Sequence, residues 1–160
     1  MTLRAPWMLA VAALAACSPM AADAGDRQAA TAPERHPQSG LEIIPLSVTH
    51  AGKKHAFKVE VARTPAEQAK GLMFRTAMAP DEGMLFPRDP PDVASFWMRN
   101  TVIPLDIIYI GTDRRILNIA NAVPYDETPL PSAGVASAVL ELNGGRASEL
   151  GIVPGDRVSW

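Results

Sequence analysis

At 160 residues, 48% hydrophobic and 20% charged, the chain has room for one globular core and a short additional segment. Its formal charge of −2 and the lack of any basic run remove the electrostatic source of nucleic-acid binding, so no nucleic-acid partner is expected. A single cysteine excludes an internal disulfide, and the domain must be held by its own core.

The first element is a leader. Arg4 precedes an apolar stretch from Ala5 to Ala16, too short to span a bilayer of about 30 Å as a permanent helix. It ends in Leu14-Ala15-Ala16-Cys17, which resembles the lipobox of bacterial lipoproteins, where small residues precede a cysteine that receives lipid. Residues 1–16 are therefore expected to be a cleaved signal and Cys17 the lipidated N-terminus, with the membrane as partner. Ser18 in place of an aspartate points, by the sorting rule of Gram-negative lipoproteins, to an outer-membrane anchor facing the periplasm. Residues 17–40 read as a flexible tether, poor in large apolar side chains.

The folded unit is expected over residues 41–160. Phe57 to Val61 alternates apolar and polar residues, as a half-buried strand does. Thr64-Pro65-Ala66-Glu67 carries the signature of a capping box with proline at the first helical position, and Gly71 closes the short helix that follows. Gly83 to Phe86 is a short apolar run ended by Pro87, and Arg88-Asp89-Pro90-Pro91-Asp92 reads as a loop. Ser95 to Met98 reads as a further strand.

Leu105 to Ile110 is apolar on both faces apart from Asp106, and a turn at Gly111-Thr112-Asp113 leads to a partner strand, Arg115 to Val123. A proline-rich excursion spans Pro124 to Pro131. Ser137 to Asn143 is a strand, Arg146 to Leu150 a helical turn ending at Gly151, and Pro154-Gly155 the centre of a type II turn before Asp156 to Trp160. Six to eight short strands with two short helices predict a mostly β (α+β) domain, a small β-barrel-like unit in which closure would remove exposed edges.

Five ordered segments then become meaningful together: Gly71-Leu72-Met73-Phe74-Arg75, Gly83-Met84-Leu85-Phe86, Phe96-Trp97-Met98-Arg99-Asn100-Thr101, Ile103-Pro104-Leu105-Asp106 and Leu140-Glu141-Leu142-Asn143-Gly144-Gly145. They resemble domain of unknown function 192 (DUF192), over roughly Val59 to Val158. The family pattern often has Lys at Arg99 and one glycine where this chain has Gly144 and Gly145. The resemblance implies a compact, largely β fold, often behind an export signal, and brings no activity with it.

Chemistry must come from polar residues set in apolar segments. Asp106 and Glu141 are such residues, and a buried carboxylate must find a partner or become neutral. As a pair they would be the candidate catalytic acid and base of a cell-envelope glycoside hydrolase, which requires two carboxyl groups about 5 to 9.5 Å apart. Arg75, Trp97, Arg99 and Asn100 are the candidate ligand-binding residues: arginine holds an anionic group bidentately and tryptophan offers a face to a ring or sugar. The alternative is that all of these satisfy strand ends and loop backbone. No cofactor is expected. The three histidines, His36, His50 and His55, precede the motif-bearing region, which leaves neither a base for a serine nor a Cys/His metal set. Met73, Met78, Met84 and Met98 could in principle hold monovalent copper, but methionines among Leu and Phe are better read as core. A small-molecule or glycan-binding module is thus the leading expectation, with a hydrolase or a structural assembly lipoprotein as alternatives.

Overall fold

The computed structural model describes residues 1–2 and 32–160. The expected signal, Cys17, Ser18 and most of the tether lie outside the described residues. The compact unit begins at Ala32, earlier than the boundary at Leu41 expected from composition. The cause is local: Arg35 bridges Glu42, His36 N–H donates to Leu41 O at 2.9 Å, and Ile43 N–H donates to Glu34 O at 2.8 Å.

Seven strands and two helices follow: β1 (Ile43–His50), β2 (Lys53–Val61), α1 (Pro65–Lys70), β3 (Glu82–Phe96), β4 (Leu105–Gly111), β5 (Ile116–Ala122), β6 (Leu130–Asn143), α2 (Arg146–Leu150) and β7 (Arg157–Ser159). One sheet, in the order β5-β4-β6-β3-β2-β1-β7, curls into a half-barrel. At one end its two edges are stitched together, because Arg115 bridges Arg157 and Val158 N–H donates to Arg114 O at 2.9 Å. The mostly β, barrel-like expectation is met.

Two expectations about β3 and β6 need correction. Residues 88–92 do not interrupt the chain between two strands; they are a bulge inside a single strand. Pro87 pairs with Ala138 and Asp92 with Ala136, so the residues between leave the ladder while β3 continues. Prolines cannot donate to a ladder, which makes a bulge their natural place in a strand. Likewise β6 starts at Leu130, inside the proline-rich excursion, opposite Phe96.

The helices form as their residues dictate. The Thr64 hydroxyl accepts from Glu67 N–H while the Glu67 carboxylate accepts from Thr64 N–H, completing the capping box, and Gly71 closes α1. β2 and β3 run parallel, so the chain must cross over between them, and α1 with the segment after it is that crossover.

The pleat divides the core in two. Val48, Val59, Leu85, Ile108, Leu140 and Val158 pack on the concave side with Ala147 of α2. Met84, Phe86, Ile107, Tyr109 and Val139 point the other way, where Leu72 of the crossover and Met98 cover them. Every residue of β4 is buried, the consequence of an apolar run facing a core on both sides. Met84 and Met98 are fully enclosed in this second cluster, as core methionines are.

Candidate functional site

The second cluster is covered incompletely, and a cleft of about 490 Å³ opens beside it, within the size range of ligand pockets. Its walls come from the crossover (Gln68, Leu72, Met73), from β3 (Phe86, Arg88, Phe96) and from Trp97, Arg99, Asn100 and Thr101. Glu141 of β6 contributes to the lining and is only 4% exposed.

Two tight turns contribute to the lining, and a third is hydrogen-bonded to the second of them. Arg75 N–H returns to Leu72 O, Thr101 N–H to Met98 O and Asp126 N–H to Val123 O. The third residue of each turn is left-handed without being glycine: Phe74 at φ 62°, Asn100 at φ 55° and Tyr125 at φ 64°. Asparagine tolerates that region, and Pro124 pre-sets the turn ahead of Tyr125, but for phenylalanine and tyrosine it is a backbone cost of about 1 kcal/mol or more each. The turns are laced to one another. Phe74 N–H donates to Asn100 O at 2.8 Å, Tyr125 N–H to Thr101 O at 3.2 Å and Met98 N–H to Asp126 O at 2.8 Å. Phe74, Trp97 and Tyr125 are between half and two-thirds exposed, and of the three Trp97 lines the cleft. The Arg99 guanidinium lies 6.0 Å from the Trp97 ring centre, at the reach of a cation–π contact. Among the described residues the Asn100 amide reaches only the Met73 sulfur, at 3.9 Å.

Glu141 is electrostatically unusual. Among the described residues no group donates a hydrogen bond to its carboxyl, and burial pushes its pKa up to about 8. Tyr109, paired one strand away, is also raised above the usual phenol range, by burial first and by the Glu141 charge second; its hydroxyl donates to Leu130 O.

Of the residues expected to form one pocket, the structure brings together Trp97, Arg99, Asn100 and Glu141. Arg75 is elsewhere. It is 5% exposed and forms a buried, two-pronged ion pair with Glu60, Nη1 to Oε1 at 2.8 Å and Nη2 to Oε2 at 3.1 Å. The same carboxylate accepts from the Ser39 hydroxyl and has His36 at 3.7 Å, so Arg75 helps fasten the N-terminal segment to β2. Both terminal nitrogens of Arg75 are thus engaged by Glu60, away from the cleft.

Asp106 is also elsewhere. It pairs in register with Leu142 whereas Glu141 pairs with Ile107, so the two carboxylates point to opposite faces of the sheet. Asp106 accepts from Asn121 Nδ2 at 2.7 Å, Gly145 N–H at 3.0 Å and Ala147 N–H at 2.7 Å. Gly145 is left-handed at φ 83° and aims its N–H at this carboxylate, while a side chain at Gly144 would strike Pro104. The two glycines thus hold the start of α2 over Asp106, which caps it from the neighbouring strand. The acid and base pair is not assembled.

Arg88 of the cleft and the left-handed Tyr125 of the adjoining turn were missed from sequence. Arg88 lies among prolines and Tyr125 in the proline-rich excursion; the Pro124-Tyr125-Asp126 turn was the available signal for the latter.

Comparison with known proteins gives a consistent placement. The family model DUF192, described as "Uncharacterized ACR", matches residues 46–160. A crystal structure of a protein of unknown function from Novosphingobium aromaticivorans shares 66% sequence identity with a TM-score of 0.78, covering 82% of this chain and 94% of that one. A protein from Sinorhizobium meliloti described as a "putative transcription regulator" shares 40% identity with a TM-score of 0.72, covering 74% of this chain and 94% of that one. No curated protein matches significantly.

Proposed function

The chain belongs to the DUF192 family, and from that premise we propose that it is a small-molecule or glycan-binding module, exported and anchored through a lipidated Cys17 facing the periplasm from the outer membrane. The observation that carries the binding role is the lining: the laced turns set half-exposed Trp97 beside Arg99 and Asn100 on the wall of a cleft floored by a carboxyl that no described residue donates to. Stability alone would favour an apolar residue at 141, so the buried carboxyl answers to something the cleft receives.

Binding is preferred to hydrolysis because, among the described residues, no second carboxylate lines the cleft with Glu141; Asp106 faces the other core. The regulator description of the Sinorhizobium meliloti protein is not adopted, because a net charge of −2 and a sequence without a basic run do not favour nucleic-acid binding.

The test is a thermal-shift screen of the purified Cys17→Ser chain against oligosaccharides and ring-bearing metabolites. A ligand that raises Tm in the parent and not in Trp97→Ala supports the reading. A panel without a Trp97-dependent shift overturns it. Anchoring is tested separately by metabolic labelling with palmitate, expected on the parent and lost with Cys17→Ser.

A further inference from the structure

The cleft shares walls with two neighbouring depressions. Gln68 and Arg88 also line one of about 640 Å³, and Ser95, Phe96 and Trp97 also line one of about 210 Å³ that reaches Pro129. Together they make one groove, and a groove suits a ligand longer than a single ring.

Four cationic side chains line it, Arg63, Lys70, Arg88 and Arg99. Gln68 Nε2 donates to Pro87 O at 2.9 Å and to Ala62 O at 3.2 Å, which fixes the backbone just ahead of Arg88. The Arg88 Nε is buried without a hydrogen-bond partner, a loss that persists until an acceptor arrives. Among the described residues neither Arg88 nor Arg99 lies in an ion pair, whereas Arg63, Arg75 and Arg146 each have a carboxylate at 2.7 to 2.8 Å.

We propose that the groove takes an acidic saccharide, a short chain of sugar rings bearing carboxylates, with a ring face on Trp97 and carboxylates on Arg88 and Arg99. The assignment rests on the reading of the cleft as a binding site. A sugar offers what the walls match: a flat apolar face for the indole, hydroxyls for the Asn100 amide, and planar anions for guanidinium forks. Asp89 and Asp92 on the wall of the largest depression confine the anion to the stretch between the two arginines.

Glu141 fits the same scheme. Tyr109 of β4 feels its charge, and Lys70 of α1, Arg88 of β3 and Arg99 of the turn after β3 line the same cleft. Below about pH 8 it keeps its proton and can donate to an oxyanion; above, its charge repels one.

The experiment is calorimetric titration of the purified Cys17→Ser chain with trigalacturonate, its carboxyl-reduced counterpart trigalactose, and hexaglutamate. Trigalacturonate is expected to bind about tenfold or more tightly than either comparator, and to weaken with added salt. Arg88→Gln and Arg99→Gln should each remove about tenfold of that affinity and leave trigalactose unchanged, while Trp97→Ala weakens both sugars. Affinity for trigalacturonate should fall between pH 7 and pH 9, and Glu141→Gln should flatten the profile. Equal binding of the two sugars overturns the acidic assignment and leaves the binding cleft standing. Equal binding of hexaglutamate overturns the saccharide assignment. If neither sugar binds but another ligand gives a Trp97-dependent shift, this inference fails alone; without any such ligand the reading of the cleft fails with it.

Discussion

Asp106 and Glu141 are buried carboxyl groups on adjacent, paired strands, one register step apart, and the pleat sends them into different environments. Asp106 meets an amide and two backbone N–H groups at the start of α2, so its charge is satisfied where it sits. Glu141 meets Met84, Ile107 and Tyr109 under an open cleft, with no donor among the described residues. The first therefore contributes to stability and the second works against it. Burial alone does not distinguish a structural acid from a functional one; the donors around it do.

The sharpest way to break this comparison is Asp106→Ala. It strands three donors, each at about 1–3 kcal/mol, and should cost about 5 kcal/mol by denaturant unfolding. A loss below about 1 kcal/mol would mean that water replaces the carboxylate and that α2 does not depend on it. Arg75→Ala should come next, at about 3–5 kcal/mol, because it leaves Glu60 as an unpaired buried charge.

Glu141→Gln should act in the opposite direction. The unfolded carboxyl loses its proton near its ordinary value of 4.5 and the folded one near 8, so between these values the native state holds more protons and its stability falls as pH rises. The glutamine variant escapes that slope. It should match the parent below pH 4.5 and exceed it by up to about 4 kcal/mol at pH 8, by parallel melts across pH. A variant that is less stable than the parent at pH 8 would place Glu141 with Asp106 as a structural acid. The smallest expected effect on stability is that of Trp97→Ala, within about 0.5 kcal/mol, because half of its surface already faces solvent.

Much of the fold was legible in the linear order of residues. The capping box at Thr64, the hairpin around Gly111 to Asp113, the doubly apolar β4 and the glycine that ends α2 are local signals, each read within a few positions and each observed. The bulge in β3 was not legible, since prolines in a row read as a loop until the partner strand is seen to continue past them. Nor was the N-terminal boundary, because His36 and Ser39 gain their role only when Glu60 is brought beside them.

The candidate site divides in the same manner. Trp97, Arg99 and Asn100 are consecutive or nearly so, and their common location follows from one turn. Arg75 and Asp106 were selected by the same rule, a charge beside apolar residues, yet long-range pairing decided their fates: Glu60, fifteen positions away, took the arginine, and the backbone of Gly145 and Ala147 took the aspartate. Sequence by itself therefore determined which segments become strands and helices, and that buried acids would have to be accommodated, because those follow from periodicity, capping and desolvation of each residue in its own neighbourhood. Which acid would be satisfied and which left open to a cleft was decided by tertiary structure alone, because side chains alternate across a strand and only the assembled sheet has a donor-rich face and a donor-poor one.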